Sequence, residues 1–422
     1  MRLNRWIMVL LGLTLAGAFA YSTSMALRYV EQALDRGGYF DPSVRNADWH
    51  RKGQRTLSEA FPTRTVSRGG PIAMLPKSPR DLEGVTYEHD GQRYTFAEFL
   101  GRNHTQGIAV LHRGALVFER YFEAADDASR FTSWSVAKSF TATLVGIALA
   151  EGKIRSLDDT LENYIPALRG TAYDGVTIDQ ALRMRSGIAF SEEYTEGGSD
   201  IAAFMRSSVI EQFASADLLA AGFPRAADPG TVFNYNTAET QILGWLVREV
   251  TKKSHAAYLE EKLWRPLGME HDATIVLDRP GPDGVELAGC CLNASLRDWA
   301  RFGQLHLQNG VWHGKRLLAE DWVARSTSPD AEADAFYGYQ WWLFGESRYS
   351  AEGVHGQFIF VDPAHDLVIA KASVWPIAWD DALADEAMAA FGAIGRHLNG
   401  QPSAGIMDSL NRPGFTGDSG VP

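Results

Sequence analysis

The sequence predicts a mixed α/β (α+β) fold, an antiparallel β-sheet flanked by helices with an all-helical lobe inserted into it. Three observations carry this prediction. Strand-like text lies toward both ends of the chain, the stretch from about residue 155 to 290 is rich in helical spacing, and 422 residues exceed what one hydrophobic core usually serves. The composition, 45% hydrophobic and 22% charged, is that of a globular chain. A net charge of -12 without any run of Lys and Arg argues against a nucleic-acid partner.

The elements follow in order. Arg2 and Arg5 precede an apolar run from Trp6 to Ala20, the layout of a signal peptide or a membrane anchor. Ala18-Phe19-Ala20 offers a cleavage site, whereas the uncharged stretch continues to Leu27, long enough to span a bilayer. Either way the chain is expected to be exported, periplasmic or membrane-anchored, with membrane contact through residues 6–27. No cysteine follows, which excludes a lipoprotein. Residues 28–65 read as a linker or wrapping arm, and 66–398 as the folded domain.

Residues 107–122 alternate as two strands joined at Arg113-Gly114. Ser135 to Glu151 is apolar at helical spacing and stops at Gly152. Helices are then expected over 178–185, 201–207, 237–251 and 255–264. Ser295 with Asp298 three residues on opens another, to about Leu307. Strand text returns over 337–344, 348–351, 357–361 and 367–373, a helix covers 381–398, and residues 399–422 read as a disordered tail. Cys290 and Cys291 are adjacent, a spacing that disfavours a disulfide and cannot supply four zinc ligands. They are expected to be two small residues filling a tight place.

Acyl transfer by serine needs a hydroxyl, a base, oxyanion donors and an acid for the leaving group. There is no Gly-x-Ser-x-Gly elbow and no His-Glu-x-x-His. What the chain offers is Ser135-Val136-Ala137-Lys138. One helical turn separates Ser135 and Lys138, so the amine can reach the serine oxygen. A lysine desolvated in an apolar helix has a lowered pKa and can act as a base near neutrality.

Further phrases accompany it: Thr132-Ser133-Trp134-Ser135-Val136-Ala137-Lys138, Leu182-Arg183-Met184-Arg185-Ser186-Gly187, Pro229-Gly230-Thr231-Val232-Phe233-Asn234-Tyr235-Asn236-Thr237, Trp264-Arg265-Pro266-Leu267-Gly268-Met269 and Gly356-Gln357-Phe358-Ile359. In this order they resemble the serine β-lactamase and penicillin-binding-protein superfamily, in its class C, esterase and 6-aminohexanoate-dimer hydrolase branch. The resemblance implies a β-lactamase/transpeptidase-like fold, with Ser135 as nucleophile, Lys138 as base and Tyr235 in the Tyr-x-Asn position as acid and base. Its pKa is expected to be lowered by the neighbouring ammonium. No metal and no cofactor are implied.

The chain departs from that pattern in two places. Thr237 replaces the second polar residue of Tyr-x-Asn. The Lys-Thr-Gly of the last strand is missing, and alignment back from Gly356 puts Arg348-Tyr349-Ser350 there. Ala351 would then give the second oxyanion N–H beside Ser135, and Arg348 is either a replacement for the carboxylate-binding lysine or a solvated strand residue. Tyr194, Thr237, Arg348, His355 and Gln357 are the candidate substrate contacts. Glu192 and Glu193 read as solvated, and Trp341, Trp342, Trp375 and Trp379 as cleft wall or core.

The leading expectation is an exported hydrolase that cleaves a small-molecule ester or amide through an acyl-Ser135 intermediate. The missing Lys-Thr-Gly counts against β-lactamase activity. The alternative is a membrane-tethered acyl-ligand receptor or sensor with slow or no turnover.

Overall fold

The computed structural model describes residues 55–401 apart from 56, 59, 195–197, 213 and 330–335. The expected leader, most of the arm and the tail from 402 lie outside the described residues. Among the described residues no helix is long and apolar enough to cross a membrane.

β1 (Thr63–Val66) and the hairpin β2 (Thr86–His89) and β3 (Gln92–Thr95) precede a second hairpin, β4 (Thr105–His112) and β5 (Ala115–Tyr121). β6 (Phe131–Thr132) leads into the Ser135 segment, and β7 (Ala273–Val276) and β8 (Leu292–Ala294) flank the exit from the helical region. After a small hairpin, β9 (Val311–Trp312) and β10 (Lys315–Arg316), come β11 (Trp342–Phe344), β12 (Arg348–Gly353), β13 (Gln357–Asp362) and β14 (Leu367–Ser373). The main sheet is antiparallel in the order β11-β12-β13-β14-β4-β5, and a second runs β1-β7-β8-β6. β1 belongs to the fold rather than to a linker: it pairs along its length with β7, and Leu57 and Phe61 before it are buried. The domain therefore begins earlier than residue 66.

The main sheet is covered on both faces, which is why its strands carry apolar residues at successive positions. Ile359, Val361, Val368, Ala370, Ala109 and Leu111 face one core, and Phe358, Phe360, Leu367, Ile369, Ile108 and Val110 face the other. Burying each of the larger side chains stabilises by about 1.5–3 kcal/mol. The first core is closed by the helices α1 (Ala137–Ala150), α2 (Thr237–Thr251) and α3 (Leu296–Leu307); the second is closed by α4 (Asp381–Leu398), whose Phe391 packs edge-on to Phe358. Gly303 lets α3 lie on the sheet, since a Cβ there would come 2.6 Å from Val368 and 2.8 Å from Ile359.

α1 is apolar around almost its whole circumference, and every residue from Ala137 to Ala148 is buried. It ends at Gly152, whose positive φ of 70° lets the Gly152 N–H donate to Leu149 and that of Lys153 to Ala148. Between α1 and β7 the described chain is helices and turns, with α2 capped by the Asn236 side chain.

Cys290 and Cys291 are joined by a disulfide, contrary to the expectation from their adjacency. Their Cα atoms are 3.7 Å apart, and the left-handed φ of 68° at Cys291 turns the chain so that both sulfurs meet.

Candidate active site

The site forms where the start of α1, the start of α2 and the end of β12 converge. Ser135 lies in a single 3-10 turn, Trp134–Val136, that opens into α1. Trp134 takes a left-handed φ of 44°, a conformation that costs energy for a bulky residue and recurs at functional turns. One turn later Lys138 Nζ donates to Ser135 Oγ at 2.9 Å, to Thr237 Oγ1 at 2.8 Å and to the Gly289 carbonyl at 2.9 Å. All three donors of the amine are thereby satisfied. Lys138 is 1% exposed and Ser135 8%. Burial lowers the Lys138 pKa to about 8, against an upward pull from the Glu192 carboxylate.

Tyr235 precedes α2 on a rigid approach. The Asn234 N–H donates to the Met184 carbonyl, and its side-chain amide donates to the carbonyls of Ile188 and Phe190. The Tyr235 ring stacks on Trp342 and meets Tyr337 edge-on, and Lys138 Nζ lies 5.1 Å from its centre. Its hydroxyl hydrogen-bonds Ser135. The expectation that the ammonium lowers this phenol's pKa does not hold. Burial, then the charge of Glu192, push it well above the ordinary tyrosine value, and the Ser135 bond offsets only part of that. Tyr235 therefore keeps its proton at neutral pH.

Glu192, expected to be solvated, is buried in the site. It accepts from the Thr237 N–H at 3.0 Å, from the Thr237 hydroxyl and from the Tyr194 hydroxyl. Thr237 thus stands between Lys138 and Glu192, and Tyr194 joins the same cluster. The signal available in sequence was Thr237 itself: a buried hydroxyl beside an ammonium must pass its own proton to an acceptor.

β12 reaches the site at Gly353 rather than Ala351. A Cβ on Gly353 would lie 3.1 Å from Ser135 N and 2.5 Å from the Ser133 carbonyl, so no larger residue fits there. Ala351 pairs with Ile359 inside the sheet and packs in the first core. The misplacement has a simple cause. The β12–β13 connection is the three residues Val354–Gly356, and Gly353 pairs with Gln357, so counting back from Gly356 placed the β12 residue beside Ser135 two positions early.

Arg348 opens β12, five residues before Gly353 and so roughly 17 Å away along the strand. Its guanidinium donates to the Gly345 carbonyl and pairs with Glu346, which removes it as a substitute for the carboxylate-binding lysine. Gln357 is not a substrate contact either: its amide donates to the carbonyls of His355 and Ser373 and pins the turn. His355 sits at the margin. Its Nδ1 hydrogen-bonds the Trp375 carbonyl, and its ring lies 5.9 Å from that of Trp134. Of the four tryptophans only Trp342 touches the site tyrosine. Trp341 lies among Phe302, His306 and Tyr349; Trp375 donates to Asn103, and Trp379 packs on Trp375.

The disulfide lies directly behind this arrangement. Gly289, before it, supplies the carbonyl that holds Lys138. Leu292, after it, exchanges hydrogen bonds with Ser133, N–H to hydroxyl and carbonyl to N–H.

The Beta-lactamase family model matches residues 93–393. A 6-aminohexanoate-dimer hydrolase from Paenarthrobacter ureafaciens is 32% identical over 342 residues, 76% of this chain and 84% of the relative. Penicillin-binding protein 4 of Amycolatopsis lactamdurans is 31% identical over 200 residues, 46% of this chain and 48% of its own. Among solved structures, a Bacillus anthracis protein assigned as a 6-aminohexanoate-dimer hydrolase superposes with a TM-score of 0.76 at 26% identity, covering 85% of this chain and 96% of that one. With a family model matched over most of its described length and a hydrolase relative aligned over three quarters of it, the chain belongs to the Beta-lactamase family.

Proposed function

We propose that the protein is a serine acyl-hydrolase that cleaves a small ester or amide through an acyl-Ser135 intermediate. The observation that carries the reading is the buried 2.9 Å contact between Lys138 Nζ and Ser135 Oγ, with the lysine lowered to about 8. In its neutral form the amine takes the Ser135 proton as Oγ bonds to the substrate carbonyl carbon. The oxygen that becomes negative lies between the Ser135 N–H and the backbone at Gly353, where β12 ends. Each such donor is worth roughly 10²–10³ in rate. When the tetrahedral species collapses, the carbon–oxygen or carbon–nitrogen bond to the leaving group breaks and Tyr235 donates the proton that group needs. Water then adds to the acyl carbon, giving up a proton to the Tyr235–Lys138 pair, and Ser135 departs reprotonated.

The substrate carbonyl is that of an ester or amide rather than a β-lactam. Arg348 stands five residues before Gly353 and is held by the Gly345 carbonyl and Glu346, so it does not supply the cation that would read a penicillin carboxylate. The amide option draws on the Paenarthrobacter relative. Export through residues 1–27, to the periplasm or a membrane-anchored state, is part of the same proposal. Incubation with a nitrophenyl ester followed by rapid acid quench and mass spectrometry should find the acyl group on Ser135. Turnover with no trapped acyl group on Ser135 at any time would count against a covalent route.

A further inference from the structure

Resting on the acyl-hydrolase reading, we infer that Glu192 is a positioning residue, which fixes the direction of the Thr237 hydroxyl and so aims the lone pair of Lys138 at Ser135. A carboxylate only accepts hydrogen bonds. Glu192 takes the Thr237 hydroxyl proton, so Thr237 Oγ1 is left as an acceptor toward Lys138 Nζ, 2.8 Å away. The Gly289 carbonyl, 2.9 Å from Nζ, is likewise only an acceptor. When Lys138 is neutral its two N–H bonds are therefore committed to Thr237 and Gly289. The lone pair has one remaining direction, toward Ser135 Oγ at 2.9 Å. A base held by a third group is the general logic of activated nucleophiles, and here a hydroxyl carries the orientation from carboxylate to amine.

Glu192 is itself held from three sides, by the Thr237 N–H and hydroxyl and by the Tyr194 hydroxyl. Its charge acts on Lys138 from α1, on Tyr235 ahead of α2, on Tyr337 ahead of β11 and on Tyr194 in its own loop. Two other carboxylates, Glu239 and Glu352, act on the tyrosines of the cluster. Glu192 stabilises the ammonium form of Lys138. Loss of its charge therefore moves the pH at which the amine becomes neutral downward, while loss of the fixed hydroxyl lowers the rate reached once it is neutral. A side chain that served only packing would change the second quantity without the first.

The test is the pH dependence of covalent labelling of Ser135 by a fluorophosphonate, followed by mass spectrometry in the parent, Glu192→Gln, Thr237→Val and Thr237→Ser. In this reaction the Ser135 Oγ–phosphorus bond forms, fluoride leaves and Lys138 takes the proton, so no turnover is required. The expected result is a rising limb shifted to lower pH in Glu192→Gln, with a plateau ten- to a hundred-fold below the parent. Thr237→Val should lose a similar plateau factor, and Thr237→Ser, which keeps the hydroxyl, should lose less than about three-fold. A Glu192→Gln limb that coincides with the parent's overturns the inference and leaves the hydrolase reading standing, provided the parent is labelled. So does a parental plateau in Thr237→Val. A parent that is never labelled on Ser135 overturns both. Thermal melting of each variant excludes unfolding as the cause, since Gln can still accept from the Thr237 N–H.

Discussion

The Cβ that Gly353 lacks would stand 3.1 Å from the backbone nitrogen of Ser135. That closeness makes the last residue of β12 part of the nucleophile's surroundings and leaves no room for a side chain. Gly353→Ala must push β12 away from the Ser133–Ser135 segment, because the nearest clash, at 2.5 Å, is with a backbone carbonyl. The expected result is a loss of about 10²-fold in kcat/KM, the scale of one oxyanion donor. Ester kinetics beside a melting curve check this, and a variant of parental activity would remove β12 from the oxyanion site.

Lys138 sets the acid side of the pH profile. Below about pH 8 the amine is protonated and cannot accept the serine proton. Thus log kcat/KM should fall by one unit per pH unit below that point and level off above it. Lys138→Met keeps the length of the side chain without a base and should cost at least about 10³-fold. A flat profile from pH 5 to 9 would show that another group takes the proton.

Tyr235 acts in the opposite sense, as a donor. Its pKa lies well above the ordinary tyrosine value, so its proton is retained and no descending limb is expected below about pH 10. Tyr235→Phe keeps the stack on Trp342 and so the fold. It should slow anilide hydrolysis by 10²-fold or more and nitrophenyl ester hydrolysis less, since nitrophenolate leaves without a proton. Equal losses on the two substrates would contradict a leaving-group role.

A second buried lysine lies away from the site. Lys371 is fully buried among Phe99, Phe358 and Trp375 and donates to Asn103 Oδ1 at 2.6 Å and to the Ser373 hydroxyl. Burial drives its pKa well below the ordinary lysine value. Between the folded and unfolded pKa values the unfolded chain binds the extra proton, so stability should rise with pH, by up to about 1.4 kcal/mol per unit, until near pH 10. Lys371→Met should lower that slope and leave the part that Lys138 contributes above about pH 8, as urea melts at pH 7 and 9 would reveal. An unchanged slope would mean that Lys371 is charged in the fold.

The fold was legible where the chain has strong local periodicity. The turn at Arg113-Gly114, the apolar helix behind Ser135 and the Asp381–Leu398 helix each lie where spacing puts them. The nucleophile and its lysine were legible because both sit on one helical turn. What failed depends on distant chain segments. Glu192 looks solvated beside Glu193, yet it is buried against the start of α2, 45 residues on. Gly353 was missed because the register of a hairpin depends on its loop, and three loop residues moved the position beside Ser135 by two. The disulfide escaped because one left-handed residue, Cys291, permits what an extended backbone would not. β1 was hidden since its partner, β7, lies some two hundred residues away along the chain.

The most direct test of the central claim compares steady hydrolysis of a short-chain nitrophenyl ester by the parent and by Ser135→Ala. The account predicts turnover in the parent that falls to the uncatalysed rate in the variant, with both proteins melting alike. Equal rates in the two proteins would contradict it, because the reaction would then not pass through Ser135.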